Sequence, residues 1–211
     1  MDAYIKKSTD LSKSALHFVK TFLKQPVTTI QAKSITLPQA ILFAALLPIS
    51  MFILLRVTIG RMFSGIPRQQ AALLAPTASE YLGIFMRLLL STAIVIVAGV
   101  VLVIVFGKIF YKVTVDVKML FSLTVVTYIP IIMALLVSAI FAFISIHLVM
   151  FALILGCCAY FFLYPSAIKV ALNTDSDKAA YLATFASTAV MAISWLYVWN
   201  MIGSELMGIF L

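Results

Sequence analysis

Few side chains in this sequence could do chemistry, and their spacing limits what that chemistry would be. His17 and His147 are the two histidines. Zinc takes three or four ligands, and neither histidine has a partner set in its own segment, so no metal centre is expected. The run Asn173-Thr174-Asp175-Ser176-Asp177 matches the opening of a calcium loop. Lys178, however, stands where that loop needs glycine, and Thr184 where it ends in glutamate. The run is expected to form a turn with helix caps instead. Ser91, Ser122, Ser138 and Ser194 lie in or near apolar stretches without a histidine base, which disfavours an intramembrane protease. Cys157 and Cys158 are adjacent within an apolar run. They give no disulfide framework and are expected as small packing residues beside Gly156. No phosphate loop, hydrolase elbow or HExxH motif occurs. The chain is therefore expected to be non-enzymatic, with no catalytic residues, no metal and no cofactor.

The elements that carry these residues are long and apolar. Of 211 residues, 64% are hydrophobic and only 10% charged, against about 45–50% and about 25% in soluble domains. The mean hydropathy is +1.17. The fold expected is all-α: an integral membrane bundle of five transmembrane helices preceded by an amphipathic cytoplasmic helix. The net charge of +8 is carried between long apolar runs. It is read as setting topology and touching anionic lipid head groups, not as a nucleic-acid surface.

A span needs about 20 mostly apolar residues. The five expected spans are about 38–55, 88–106, 119–140, 147–164 and 180–202. The first opens on Pro38 and contains Pro48, expected to kink it. The second has an earlier possible start, because Thr77-Ala78-Ser79-Glu80 has capping-box spacing; a helix from there to Phe106 would tilt or project beyond the bilayer. Met119–Tyr164 holds no Lys, Arg, Asp or Glu over its 46 residues, which suits two spans with a tight turn near Phe141–His147. Pro165 is read as the end of the fourth span. Asp175-Ser176-Asp177 precedes the fifth, whose far end carries Trp195, Tyr197 and Trp199, residues favoured at an interface. A short external tail, 207–211, follows.

Five spans put the termini on opposite sides. Eleven lysines (6, 7, 13, 20, 24, 33, 108, 112, 118, 169 and 178) then share one side, and four arginines (56, 61, 68 and 87) the other. The positive-inside rule puts the lysine side in the cytoplasm. The expected location is the cell membrane, multi-pass, with the N-terminus cytoplasmic and the C-terminus external. Residues 1–36 are polar and lysine-rich, unlike a signal peptide, so the first span serves as its own insertion signal. From Asp10 to Lys24 the apolar Leu11, Ala15, Phe18, Val19 and Phe22 recur at helical spacing while Lys13, Lys20 and Lys24 fall mostly elsewhere. Such a helix lies on the inner membrane surface or packs on the cytoplasmic face of the bundle, and the two are compatible.

Contact with lipid or a partner is expected at Arg56, Arg87, Lys13, Lys20 and Lys24. The two arginines sit at span ends, where long side chains snorkel to head groups. Helix kinks or packing are expected at Pro48, Tyr128, Pro130, Ala183 and Ser187. Ala179, Ala183 and Ser187 recur every four residues, a spacing that lets helices approach closely in lipid. Pro130 frees a backbone carbonyl for a neighbouring hydroxyl or water. Asn200 and Glu205 are placed to hydrogen-bond between helices or subunits.

A polar N-terminal segment, five spans, a tight third-to-fourth hairpin and a short C-terminus resemble the layout of the Yip family (Ypt/Rab-interacting membrane proteins) and its bacterial relatives. Val126-Thr127-Tyr128-Ile129-Pro130 is similar to the family's Gly-Tyr-x-x-Pro-like stretch, with Thr127 in place of glycine and one residue, not two, between Tyr128 and Pro130. The run from Asp10 to Pro26, with Ser12, Phe18, Phe22 and Lys24-Gln25-Pro26, looks like bacterial members of Gram-positive organisms. In eukaryotes the resemblance implies membrane traffic and Rab GTPase partners; in bacteria it implies a membrane scaffold. It assigns no functional residue.

Three functions are consistent with these features. The leading one is a non-enzymatic scaffold or accessory subunit, with membrane lipids, a membrane-protein partner or further copies of the chain as partners. The second is a small transporter, channel or lipid-handling protein working as an oligomer. The third is an immunity or stress-response membrane protein.

Overall fold

Four helix starts in this chain, those of the helices beginning at Leu37, Ala78, Val117 and Ile146, are written by side-chain caps. The computed structural model describes residues 2–65, 67, 76–112 and 114–192, and these contain helices and connections but no strand. The helices are α1 (Asp2–Lys24), α2 (Pro26–Gln31), α3 (Leu37–Phe63), α4 (Ala78–Tyr111), α5 (Val117–Val126), α6 (Ile129–Phe141), α7 (Ile146–Leu172) and α8 (176–192 as described). α4 opens on a reciprocal cap. Thr77 N–H donates to Glu80 Oε2 at 2.6 Å, and Glu80 N–H donates to Thr77 Oγ1 at 3.4 Å. α3 opens the same way, with Thr36 N–H donating to Gln39 Oε1 at 2.9 Å. Asp116 accepts from the N–H groups of Lys118 and Met119 at the start of α5, and Ser145 from His147 N–H at the start of α7. Each cap satisfies donors that a helix start leaves open.

Four helical segments are long and apolar enough to cross a membrane: Leu37–Phe63, Ala78–Tyr111, Val117–Phe141 and Ile146–Leu172. The chain is thus an all-α protein whose helices suit a multi-pass membrane protein. The segment formed by α5 and α6 is the centre. Of its most apolar stretch 67% is buried, against 28% in each of the other three. α3, α4 and α7 surround it, and Leu120, Leu123, Val125, Val126 and Ile129 are almost fully enclosed.

Successive segments run in opposite directions. One end of the bundle therefore gathers residues 32–36, 112, 114–116 and 173–175, together with α1 and α2; the other gathers residues 64–65, 76–77 and the turn at 142–145. α1 lays Ala15, Phe18 and Phe22 inward, and the Phe18 and Phe43 rings lie 5.9 Å apart. Lys13, Lys20 and Lys24 stay exposed. α2 packs against α7 and buries Ile30 almost completely.

Several helices differ from the spans expected. The helix around 38–55 runs on to Phe63, and the one around 88–106 spans 78–111. The stretch 119–140 is two helices, parted at Thr127 and Tyr128. The stretch 147–164 does not end at Pro165, because α7 continues to Leu172 with the proline inside. A proline removes only its own bond to the carbonyl four residues back. Ala167, Ile168, Ala171 and Leu172 beyond it are buried, and ending the helix at the proline would give up their packing as well. Of the expected fifth span at 180–202, α8 covers the first part; Trp195, Tyr197, Trp199, Asn200 and Glu205 lie outside the described residues.

Candidate functional site

The break between α5 and α6 is built by Thr127, Tyr128 and Pro130. Pro130 is the second residue of α6 and offers no N–H. One turn earlier the backbone tightens: Thr127 N–H donates to Thr124 O at 3.2 Å, and Tyr128 N–H to Val125 O at 3.1 Å. Thr127 Oγ1 also donates to Thr124 O, at 2.6 Å in a fully buried setting. Thr124 Oγ1 is itself buried without a hydrogen-bond partner.

Tyr128 at the break faces Tyr160 of α7, with ring centroids 5.0 Å apart. Tyr160 stacks on Tyr164 at 5.2 Å and 17°. The Tyr160 hydroxyl lies beside those of Tyr128 and Ser187. A Cβ added to Gly99 of α4 would lie 3.7 Å from the Tyr164 hydroxyl. One ladder of tyrosines therefore connects the central break, α7, α8 and α4.

Small residues set the close approaches. A Cβ on Gly156 of α7 would fall 2.5 Å from Ala134 Cβ and 3.1 Å from Pro130 O, so α6 and α7 cross where only glycine fits. Cys157 and Cys158, expected to pack beside it, are exposed. Gly156 occupies the contact face, and each further residue turns about 100° around the helix, which carries both thiols away. On α8, Ala179, Ala183 and Ser187 are all buried, as are Leu182 and Ala186. α8 meets α4 through Phe106 and Phe185, 5.9 Å apart. Between α7 and α8 lies a cavity of about 120 Å³ bordered by Tyr164, Thr184, Ser187 and Thr188. Pro48 is buried in α3, whose helix continues across it.

Arg56, Arg61 and Arg87 lie at the end opposite the N-terminal helices; Arg68 lies outside the described residues. Arg56 is exposed and rests over the Tyr81 ring, 5.1 Å from its centre. Arg87 is exposed on α4. Arg61 does what the sequence reading did not foresee: its Nε donates to Ala142 O at 3.2 Å and its Nη2 to Phe143 O at 2.9 Å. These carbonyls close the end of α6, where the helix dipole favours a cation. No spacing rule links positions so far apart, so the sequence carried no signal for this clasp.

At the other end, an open cavity of about 440 Å³ lies between the end of α2 and the α7–α8 connection. Its polar lining is Gln31, Lys33, Ser166, Lys169, Asn173, Thr174 and Ser176, with Pro165 and Val170 as the apolar part. Lys33 and Asn173 both hold left-handed backbone, at φ 50° and 48°. Lys169 Nζ donates to Ser176 Oγ at 2.8 Å, joining the end of α7 to the start of α8. No carboxylate lines the cavity among the described residues. The neighbouring Asp175 pairs with Lys178 at 3.1 Å, consistent with a capped turn. Lys13, Lys20 and Lys24 do not enter this cavity. His17 and His147 are both exposed, and among the described residues no three of His, Cys, Asp and Glu come together as metal ligands.

No family model, curated protein or solved structure matches the chain.

Proposed function

We propose that this chain is a non-enzymatic, Yip-like scaffold or accessory subunit of the cell membrane. It crosses the membrane five times, with its N-terminus in the cytoplasm and its C-terminus outside. The observation that carries this reading is the outward face of α4. Leu82, Met86, Leu90, Ile94, Val97, Val101 and Val105 are all exposed along it, forming one apolar stripe on a 34-residue helix. At 1.5 Å per residue that helix is about 50 Å long, beyond the ~30 Å of a hydrocarbon core. Among the described residues no helix covers the stripe, and a neighbouring membrane helix fits it as well as lipid does. α8 supplies the start of the fifth span, and the lysine-rich end is read as cytoplasmic.

Two measurements test the reading. The protein crosslinked in native membranes through single cysteines at Leu90 or Val97 should co-purify with a membrane protein, and the purified protein in liposomes should move no solute. Transport by the isolated chain would overturn the scaffold. Labelling of a C-terminal tag by an impermeant reagent from outside intact cells tests the orientation.

A second reading, a small transporter, channel or lipid-handling protein working as an oligomer, draws on the hydroxyl-bordered cavity between α7 and α8. If it holds, replacing Arg56 and Arg87 together with glutamine changes solute or lipid movement by the reconstituted protein.

A further inference from the structure

We infer that the cavity between α2 and the α7–α8 connection binds a phosphate-bearing anion at the level of the lipid head groups. Lys33 and Lys169 reach it from two separate elements, and Gln31, Ser166, Asn173 and Ser176 add hydrogen-bonding groups. Phosphate oxygens accept from ammonium, amide and hydroxyl donors alike. No carboxylate among the described residues competes within the lining; of the two aspartates that flank Ser176 in sequence, Asp175 is paired with Lys178. The last carbonyls of α7 are partly occupied, since Thr174 N–H donates to Lys169 O at 3.2 Å. Ser176, the first residue of α8, lines the same space, and a helix start carries partial positive charge.

Depth identifies the ligand class. α7 has 27 residues and is about 40 Å long. Counted from Ile146, a hydrocarbon core of ~30 Å is crossed in about 20 residues, near Pro165. Pro165, Ser166 and Lys169 then stand where lipid phosphates lie, and Pro165 and Val170 give the cavity an apolar flank for the first carbons of a lipid. The same phosphate chemistry is offered by a soluble phosphomonoester. The inference goes beyond the scaffold reading and does not depend on it.

The test uses the full-length protein in a neutral detergent, titrated with short-chain phosphatidylglycerol, short-chain phosphatidylcholine and glycerol phosphate. Saturable binding of phosphatidylglycerol is expected, weaker by about tenfold or more in Lys33→Gln/Lys169→Gln, since each lysine near an anionic surface strengthens binding severalfold. Lys33→Arg/Lys169→Arg should retain it, and Ser166→Glu, which places a carboxylate in the cavity, should lose it. Lys108→Gln/Lys118→Gln removes the same charge from the same end of the bundle, outside the cavity lining, and should bind within about twofold of the unaltered protein. Binding of the lipid alone identifies a head group, and equal binding of glycerol phosphate identifies a soluble ligand; both support the site. No saturable binding, or an equal loss in the Lys108/Lys118 pair and the cavity pair, would overturn it.

Discussion

The side-chain amide of Gln39 joins the N-terminal helix to the first long helix: its Nε2 donates to Ser14 Oγ at 2.8 Å. The same side chain accepts from Thr36 N–H through Oε1, so one residue both starts α3 and moors α1. Gln39 is 5% exposed, which keeps water from replacing either bond. Gln39→Ala should cost about 1–2 kcal/mol through the lost cap and contact. It should also speed tryptic cleavage at Lys13 and Lys20 in the reconstituted protein. Ser14→Ala should speed cleavage less, because the cap survives; equal effects would show that α1 is held by its phenylalanines alone.

Gly156 and Gly99 predict opposite responses to the same added methyl group. At Gly156 the new carbon meets Ala134 and the Pro130 carbonyl, so Gly156→Ala should destabilise by about 1–3 kcal/mol through overpacking. At Gly99 the nearest atoms are 3.7 Å away, an ordinary contact. Gly99→Ala should be neutral or gain up to about 1 kcal/mol from its better helix propensity. Thermal melting of both variants in one detergent decides the point.

Arg61 should matter more than Arg56. Removing two charge-assisted hydrogen bonds by Arg61→Gln is worth about 1.5–3 kcal/mol for a buried pair, and less at this exposed site. Arg56→Gln removes only a cation–π contact, about 0.5–1 kcal/mol. A lower melting temperature for Arg61→Gln than for Arg56→Gln is the expected order.

The threonines at the helix break should also diverge. Thr124→Val removes a buried hydroxyl that has no partner and should be neutral or stabilising. Thr127→Val removes the hydroxyl that donates to Thr124 O at 2.6 Å and should cost about 1 kcal/mol. Unfolding of the two variants in a graded denaturing detergent measures the difference.

Much of the architecture was readable locally. Thr77 and Glu80 gave the start of α4 because a capping box is a four-residue pattern, and Thr36 and Gln39 have that same pattern at the start of α3. The turn between α6 and α7 falls at 142–145, inside the expected window Phe141–His147. Pro165 misled because a rule about helix stops weighs one lost N–H and not the burial of Ala167, Ile168, Ala171 and Leu172, which the continued helix provides. Cys157 and Cys158 misled because being small and apolar does not say which way a position faces. The tyrosine ladder and the Lys33–Lys169 cavity could not be read at all. Each joins residues from separate helices, and only the packing of those helices brings them together.

The Arg61 clasp also orders the protein's assembly in time. Its two acceptors lie 81 and 82 residues further along the chain, so Arg61 leaves the ribosome long before they exist. Until the α6–α7 turn has been translated and delivered, the guanidinium has only water or head groups to satisfy it. Closure of the clasp is therefore a late event in biogenesis, a latch that engages only once the following two segments are in place.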